Sequence, residues 1–365
     1  MKKIKIAQIG IEHDHARKIM WAMRSLREVF DVVGWCDPEK CVEHDAFTGK
    51  QVIAGVAYKG DTNIYRHLYD GVPEMELEEL LNYPGLEAVV IESSEYNLFK
   101  YAQMAAERGL HVHMDKPGGL RYGDFEKLVE TVRSTGKVLH LGYMYRYNPE
   151  IQRMFREIEA GKYGDIYSVE CQMNCRHPDE KRAWMSKFPG GMMFFLGCHL
   201  VDIIYRIQGE PEEIIPMNCV TGTEGLQIGE DFGFAVFRYK NGVSFAKACA
   251  AEPGGFKRRQ IVVCGTKGTL EIRPIEDYPG QLDQSDPHPS DAFLVTPVRE
   301  VTKDLLSWPA DGETRRSTFF RYGAMMEGFA EIVRGERENP YGMDYELALF
   351  RTLMKACGTP VDGNG

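Results

Sequence analysis

The sequence predicts an α/β protein in two parts: a doubly wound parallel sheet over residues 1–147, then an α/β domain with an open, mainly antiparallel sheet over residues 148–365. Three observations lead there. Up to Tyr147, short apolar runs alternate with amphipathic helical stretches, the pattern of parallel strands covered by helices on both faces. After Asn148–Pro149, strand-like runs follow one another with few helices between them. The 365 residues are also enough for about two domains with sizeable cores.

In the first part, KIKIAQIGI is a short apolar strand, and a helix runs from His15 to Val29. FDVVGWCD is a second strand ending at Asp37, and the segment from Pro38 to Asn63, rich in Gly and polar residues, is irregular. LEAVVIES is a strand, followed by a helix ending at Gly109, the strand HVHMD, a helix from Tyr122 to Thr135 and the strand KVLHLGYMY. Right-handed crossovers fold such a series into a doubly wound domain. In the second part, a helix from Ile151 to Ala160 precedes the strands IYSVECQM, EEIIPMNCV, DFGFAVFRY, VSFAKACAA, RQIVVCG and GTLEIRP. Lys240–Asn241–Gly242 and Thr266–Lys267–Gly268 supply the residue types that hairpin turns need. One face of this sheet needs cover, from helices or from another subunit, which predicts a homodimer or homotetramer. The polar, Asp- and Pro-rich stretch from Glu276 to Arg316 reads as a long loop. Helices from Tyr322 to Arg334 and Tyr345 to Cys357 close the chain and are free to pack back on the first domain.

Hydrophobic residues at 43% and charged residues at 27% are ordinary for a globular protein. The net charge of −10 opposes general binding to nucleic acid or to an anionic membrane. No apolar run approaches the roughly 20 residues that cross a bilayer. MKKIKIAQIG begins basic and then apolar, as a signal peptide does, but its apolar stretch is short and alternates with Lys. It reads as a strand, and the chain is placed in the cytoplasm. Nine scattered cysteines make a poor disulfide framework and suit a reducing compartment. The close pairs Cys36/Cys41 and Cys171/Cys175 have no second pair at zinc-ribbon spacing, so no metal is expected from them.

A strand leading through a glycine into a helix is the geometry that receives a pyrophosphate, because the helix N-terminus offers unpaired N–H groups and a positive dipole end. Gly10 takes the first glycine position of G-x-G-x-x-G, but Glu12 and His15 replace the other two. Glu12 repels a diphosphate unless it points away. His13 and His15 either donate hydrogen bonds to phosphate or cap and pack the turn. Two histidines at i and i+2 are a meagre ligand set, so the H-D-H triplet is not read as a metal site. Asp37 ends the second strand, where a carboxylate hydrogen-bonds the adenosine ribose and disfavours the extra phosphate of NADP. The expected cofactor is therefore NAD, with NADP less favoured. The other reading of Asp37 is a turn former before Pro38.

HVHMDKPGG delivers Asp115, Lys116 and Pro117 at a strand's carboxyl end, where ligands bind in this sheet type. PGGMMFFLGCHLVDII places His199 and Asp202 three apart, hence on one helical face. With YMYRYNP, VVIESS, GEDFGFAVFRYKNG and CGTKGTLEI, these segments make nearly the whole chain resemble the Gfo/Idh/MocA oxidoreductases, the family of glucose–fructose oxidoreductase and inositol dehydrogenase. The resemblance implies an N-terminal Rossmann domain, with the family's E-K-P motif falling on Asp115, Lys116 and Pro117; together with Gly10, His13, His15, Asp37 and Ser93 they make up the expected cofactor site. It further implies that Lys116 positions the substrate hydroxyl and that His199 is the general base, with a pKa suited to proton exchange near neutrality. Two departures stand out: Asp115 replaces the family glutamate, and Phe195 replaces an aspartate one helical turn before His199.

Tyr143, Tyr145 and Arg146, at the end of the last strand of the first part, are expected to line the same cleft, which also draws on Phe195 and Asp202. Trp184 either stacks on a sugar ring or belongs to the core. Arg176, His177, Lys181, Arg182 and Lys187 form a basic stretch that either meets an anionic substrate group or is solvated loop. The implied function is oxidation of a secondary alcohol of a sugar, inositol or sugar derivative with NAD. The alternatives are redox-assisted glycoside cleavage or elimination with retained NAD, and a non-catalytic nucleotide-binding regulator.

Overall fold

The computed structural model describes residues 2–13, 15–39, 42–44, 51–53, 67–222, 229–277, 293–302 and 315–361. The chain divides into two compact units, each assembled from three chain segments. The first comprises Met1–Met144, Ser285–Ala292 and Arg321–Leu347; the second comprises Tyr145–Gln284, Phe293–Phe320 and Ala348–Gly365.

The first unit is built on β1 (Ile4–Ile9), α1 (Ala16–Ser25), β2 (Phe30–Cys36), β3 (Val42–His44), β4 (Gln51–Ile53), α2 (Leu77–Leu81), β5 (Ala88–Ile91), α3 (Leu98–Glu107), β6 (His111–Met114), α4 (Tyr122–Thr135) and β7 (Leu139–Leu141). Five strands form a parallel sheet in the order β2-β1-β5-β6-β7. Four residues of β5 in a row, Ala88 to Ile91, are buried, as a parallel strand covered on both faces requires. α4 stops where Gly136 takes a left-handed φ of 65°, which a glycine adopts without steric cost. β3 and β4 pair separately within the segment expected to be irregular, most of which lies outside the described residues. β7 is shorter than the expected strand KVLHLGYMY, because Met144–Tyr147 winds into a 3-10 turn.

The second unit starts with α5 (Pro149–Glu159), whose first turn is fixed by sequence: Pro149 sits at the start, and the Asn148 side chain accepts from the Glu150 and Ile151 N–H groups at 2.9 and 3.3 Å. There follow β8 (Ile166–Asn174), α6 (Asp179–Met185), α7 (Cys198–Gln208), β9 (Glu213–Pro216), β10 (Phe232–Tyr239), β11 (Gly242–Cys249), β12 (Gln260–Gly265), β13 (Gly268–Ile272), β14 (Phe293–Thr302) and β15 (Arg315–Phe320). They make an eight-stranded sheet, β15-β14-β13-β12-β8-β11-β10-β9, in which only the β8–β11 pair is parallel. The open, mainly antiparallel sheet expected from sequence is present. Tyr239 pairs with Gly242 across a two-residue Lys240–Asn241 turn, fixing the β10–β11 register.

β14 and β15 correct the expectation of a loop from Glu276 to Arg316. Pro297 and the surrounding polar residues argue against a strand locally, but Pro297 lies just beyond the stretch of β14 that β13 pairs, so its missing N–H breaks no ladder there. Residues 278–292 and 303–314 of that stretch are outside the described set. The chain closes with α8 (Arg321–Val333), which packs against α1 in the first unit, and α9 (Met343–Ala356). The eight cysteines among the described residues are all free, so packing rather than cross-links holds this fold. No described helix is long and apolar enough to cross a membrane.

Candidate functional site

Four neighbouring parallel strands, β2, β1, β5 and β6, end side by side, which gathers the loops that follow them. Gly10 leaves β1 with φ 87°, close against the next loop: a Cβ there would overlap the Ser93 backbone nitrogen, so only glycine fits. Backbone bonds tie the loops together: Gly10 N–H donates to Cys36 O at 2.9 Å and His13 N–H to Glu92 O at 3.0 Å. Asp37 follows β2 directly and is half-buried, while Ser93, Asp115 and Lys116 are buried. The Lys116–Pro117 peptide is cis.

Ionisable side chains converge at this sheet edge. His13 Nδ1 lies 3.1 Å and His15 Nδ1 2.8 Å from the same Asp115 oxygen, Oδ2. The His15 N–H also approaches His13 Nδ1, at 3.3 Å. Asp115 Oδ1 accepts the Lys116 N–H at 2.6 Å. His13 Nε2 is 3.5 Å from Glu95 Oε1, and its Nδ1 is 3.9 Å from Glu92 Oε2. Burial disfavours charge on all of them, and their neighbours decide the outcome. Burial lowers His15 to about 3, against the pull of Asp115. Burial also opposes a charge on His13, but Asp115 and Glu95 outweigh it and raise its pKa. Asp115 is held well below the usual carboxylate range because His13, His15 and Lys116 overcome its burial. Glu92 is pushed well above that range by burial and by the adjacent Asp115 carboxylate. His13, His15 and Asp115 each present one ligand atom within 4.8 Å of the others, a spacing a metal ion can bridge. The H-D-H triplet showed only the two histidines; the fold adds Asp115, while Asp14 lies outside the described residues.

The strand–glycine–helix frame and the position of Asp37 fit the adenosine end of a dinucleotide. The turn itself is acidic. Glu12 is buried and accepts the Ile11 N–H at 2.9 Å, so a turn amide that would serve a phosphate is already taken.

The second unit gathers a different set. A π-helical turn at Met193–Gly197 runs straight into α7, an irregularity often found at functional positions. Gly191, with φ 49°, lies so close to Glu230 that a Cβ would overlap its carbonyl oxygen. His199 is buried on α7, its ring edge-on to Tyr145 with centroids 4.9 Å apart. The Tyr145 hydroxyl donates to Glu276 Oε1 at 2.8 Å, and Arg259 Nη1 reaches the same oxygen at 3.2 Å. Arg146 grips Asp202 by two bonds of 2.9 Å, and both side chains are buried. These two expected substrate contacts are thus bound to each other. Phe195 packs on Phe188 and edge-on to Trp184, with the Lys181 ammonium 5.2 Å from its ring centre. Tyr143 and Lys116 belong to the first unit; Tyr145, Arg146, Trp184, Phe195, His199 and Asp202 belong to the second. In the basic stretch, Arg182 is committed to Asp231 at 2.5 and 2.9 Å.

Sequence reasoning passed over Glu92 and Glu95. The available signal was their place: a carboxylate directly after the wholly apolar β5 sits at the ligand end of the sheet.

Comparison with known proteins agrees with this architecture. Residues 8–143 match the oxidoreductase family with an NAD-binding Rossmann fold, and residues 151–271 match the GFO/IDH/MocA C-terminal domain. The chain is 28% identical to the uncharacterized oxidoreductase YhhX of Escherichia coli over 155 residues, 41% of this chain and 43% of that protein. It is 26% identical to D-xylose 1-dehydrogenase (NADP(+)) 2 of Haloferax volcanii over 282 residues, 76% of this chain and 78% of that protein. Among solved structures, the aldose-aldose oxidoreductase from Caulobacter crescentus complexed with glycerol superposes with a TM-score of 0.73 at 18% identity, covering 98% of both chains. The fold is therefore shared along the whole chain, while the chain spans about two fifths of the length of YhhX.

Proposed function

The chain belongs to the Gfo/Idh/MocA oxidoreductase family, and on that premise we propose that it oxidises a secondary alcohol of a sugar, a cyclic polyol or a sugar derivative, with NAD as hydride acceptor. The family's Rossmann fold gives it the capacity to bind NAD(P). The observation that carries the reading is His199, buried on α7 directly after a π-helical turn in a segment matched by the family's second domain. The names of the xylose dehydrogenase and the aldose-aldose oxidoreductase support the substrate class.

When bound, the nicotinamide supplies the acceptor for the hydride that leaves the carbinol carbon. His199 takes the hydroxyl proton; a neutral imidazole accepts it near physiological pH. The edge-on Tyr145 ring and its bond to Glu276 fix the direction of that imidazole. Asp202 and Arg146, locked together, hold α7 to the turn at Met144–Tyr147. Lys116 orients the hydroxyl and favours its ionisation. Asp37 hydrogen-bonds the adenosine ribose and repels an extra phosphate, favouring NAD over the NADP(+) of the xylose enzyme's name. Phe195, set against Trp184, replaces a polar contact with an aromatic one, which suits the apolar face of a sugar ring.

The sheet face opposite α7 carries Val236, Phe245, Ile215 (43% exposed) and Val243 (50% exposed), with Phe234 stacked on Phe245. We propose that a second copy covers it. Val243→Glu is expected to shift the mass measured by light scattering from dimer or tetramer toward monomer; an unchanged mass would remove this face from the interface.

The functional test is reduction of NAD by a panel of sugars and polyols, followed by NADH absorbance. His199→Ala is expected to lower kcat by about 10²–10⁴-fold with nucleotide binding intact, and Lys116→Ala to lower kcat/KM. Failure of the intact protein to bind NADH, or of every panel member to reduce NAD, would sink the dehydrogenase reading.

A further inference from the structure

We infer that His13, His15 and Asp115, with Glu92 as the fourth ligand, form a binding site for one divalent transition-metal ion, of which zinc fits the ligand set best. Two imidazoles with carboxylates are the donors such an ion takes. The spacing is close to what an ion imposes: Asp115 Oδ2 is 3.1 and 2.8 Å from the two Nδ1 atoms, and ligands about 2.0–2.2 Å from a tetrahedral zinc stand roughly 3.3–3.5 Å apart. The outer contacts are already those of a metal site. Asp115 Oδ1 is held by the Lys116 N–H, leaving Oδ2 toward the rings, and His13 turns its other nitrogen toward Glu95 at 3.5 Å. A carboxylate behind a ligating imidazole orients it and raises its basicity.

A plainer account makes the cluster a set of hydrogen bonds in which both imidazoles pair with Asp115. That explains Asp115 but gives the Glu92 oxygens no donor. Glu92 is fully buried (0% exposed), 3.9 Å from His13 Nδ1, and neither of its oxygens receives a hydrogen bond. Buried carboxylates are normally answered by donors or by a cation. A divalent ion takes up these oxygens. The His15 side chain, 14% exposed, is the ligand nearest solvent.

The inference concerns the first unit alone and does not rest on the dehydrogenase reading. The test takes the full chain, strips it with EDTA, titrates it with Co²⁺ as a spectroscopic probe and then adds Zn²⁺. One cobalt per chain is expected, with visible ligand-field bands that Zn²⁺ abolishes. Glu92→Gln, which keeps the side-chain volume, is expected to weaken binding by about 10–100-fold; His15→Gln is expected to abolish the bands. Circular dichroism verifies that both variants are folded. Absence of stoichiometric cobalt binding by the intact chain overturns the inference, as does equally tight binding by folded Glu92→Gln and His15→Gln. NADH binding by fluorescence on the same metal-free protein separates the two readings: NADH without cobalt removes only the metal site, and cobalt without NADH removes only the dehydrogenase.

Discussion

In the second unit, three buried carboxylates near the candidate residues meet a guanidinium: Asp202 takes two bonds from Arg146, Asp231 is gripped by Arg182, and Glu276 accepts from Arg259 and Tyr145. At the carboxyl end of the first unit's parallel sheet, Asp115, Glu92 and Glu95 face imidazoles and a backbone amide, at 2.6 to 3.9 Å. A guanidinium fork saturates a carboxylate and closes the pair to newcomers. An imidazole keeps a lone pair it can exchange for a proton or an ion. The first arrangement builds scaffold; the second stays open to chemistry.

Breaking the closed pairs should cost most. Asp202→Ala strands the buried Arg146 charge and is expected to lower stability by about 3–5 kcal/mol in urea unfolding. The double change Arg146→Met with Asp202→Leu is expected to recover most of that loss, since apolar replacements of similar volume are often neutral. A loss below about 1 kcal/mol for Asp202→Ala would mean the pair is not closed. The open cluster should respond with the opposite sign and less. In metal-free protein, Glu92→Gln is expected to leave stability unchanged or raise it by about 1 kcal/mol, because it removes a carboxyl that receives no hydrogen bond. A loss above about 2 kcal/mol would show that Glu92 is already satisfied and would erase the contrast.

Much of the fold is readable because it is local. Alternating or unbroken apolar runs mark β1, β5, β8 and β10; Asn148–Pro149 marks the start of α5; and three-residue spacing puts His199 and Asp202 on one helix. What escaped is non-local. β14 and β15 owe their existence to pairing with each other and with β13 rather than to their own polar, proline-containing sequence. Asp115 is 100 residues from His15, so the cluster exists only because β1 and β6 flank β5 in the sheet order. Arg146 and Asp202 each looked like a free polar group facing a ligand, and only the packing of α7 reveals that each is the other's partner. The same holds for Arg182, which reads as part of a basic stretch until Asp231 is found against it.

The way each unit draws on three separate stretches of chain has a consequence for dissecting the gene. A fragment ending at Met144 would carry all five strands of the parallel sheet yet lack α8, leaving the side of α1 that α8 covers bare to water. Half of this protein cannot be obtained with a single cut: the far end of the message, from Arg321 on, has to be translated before the parallel-sheet unit has all its parts.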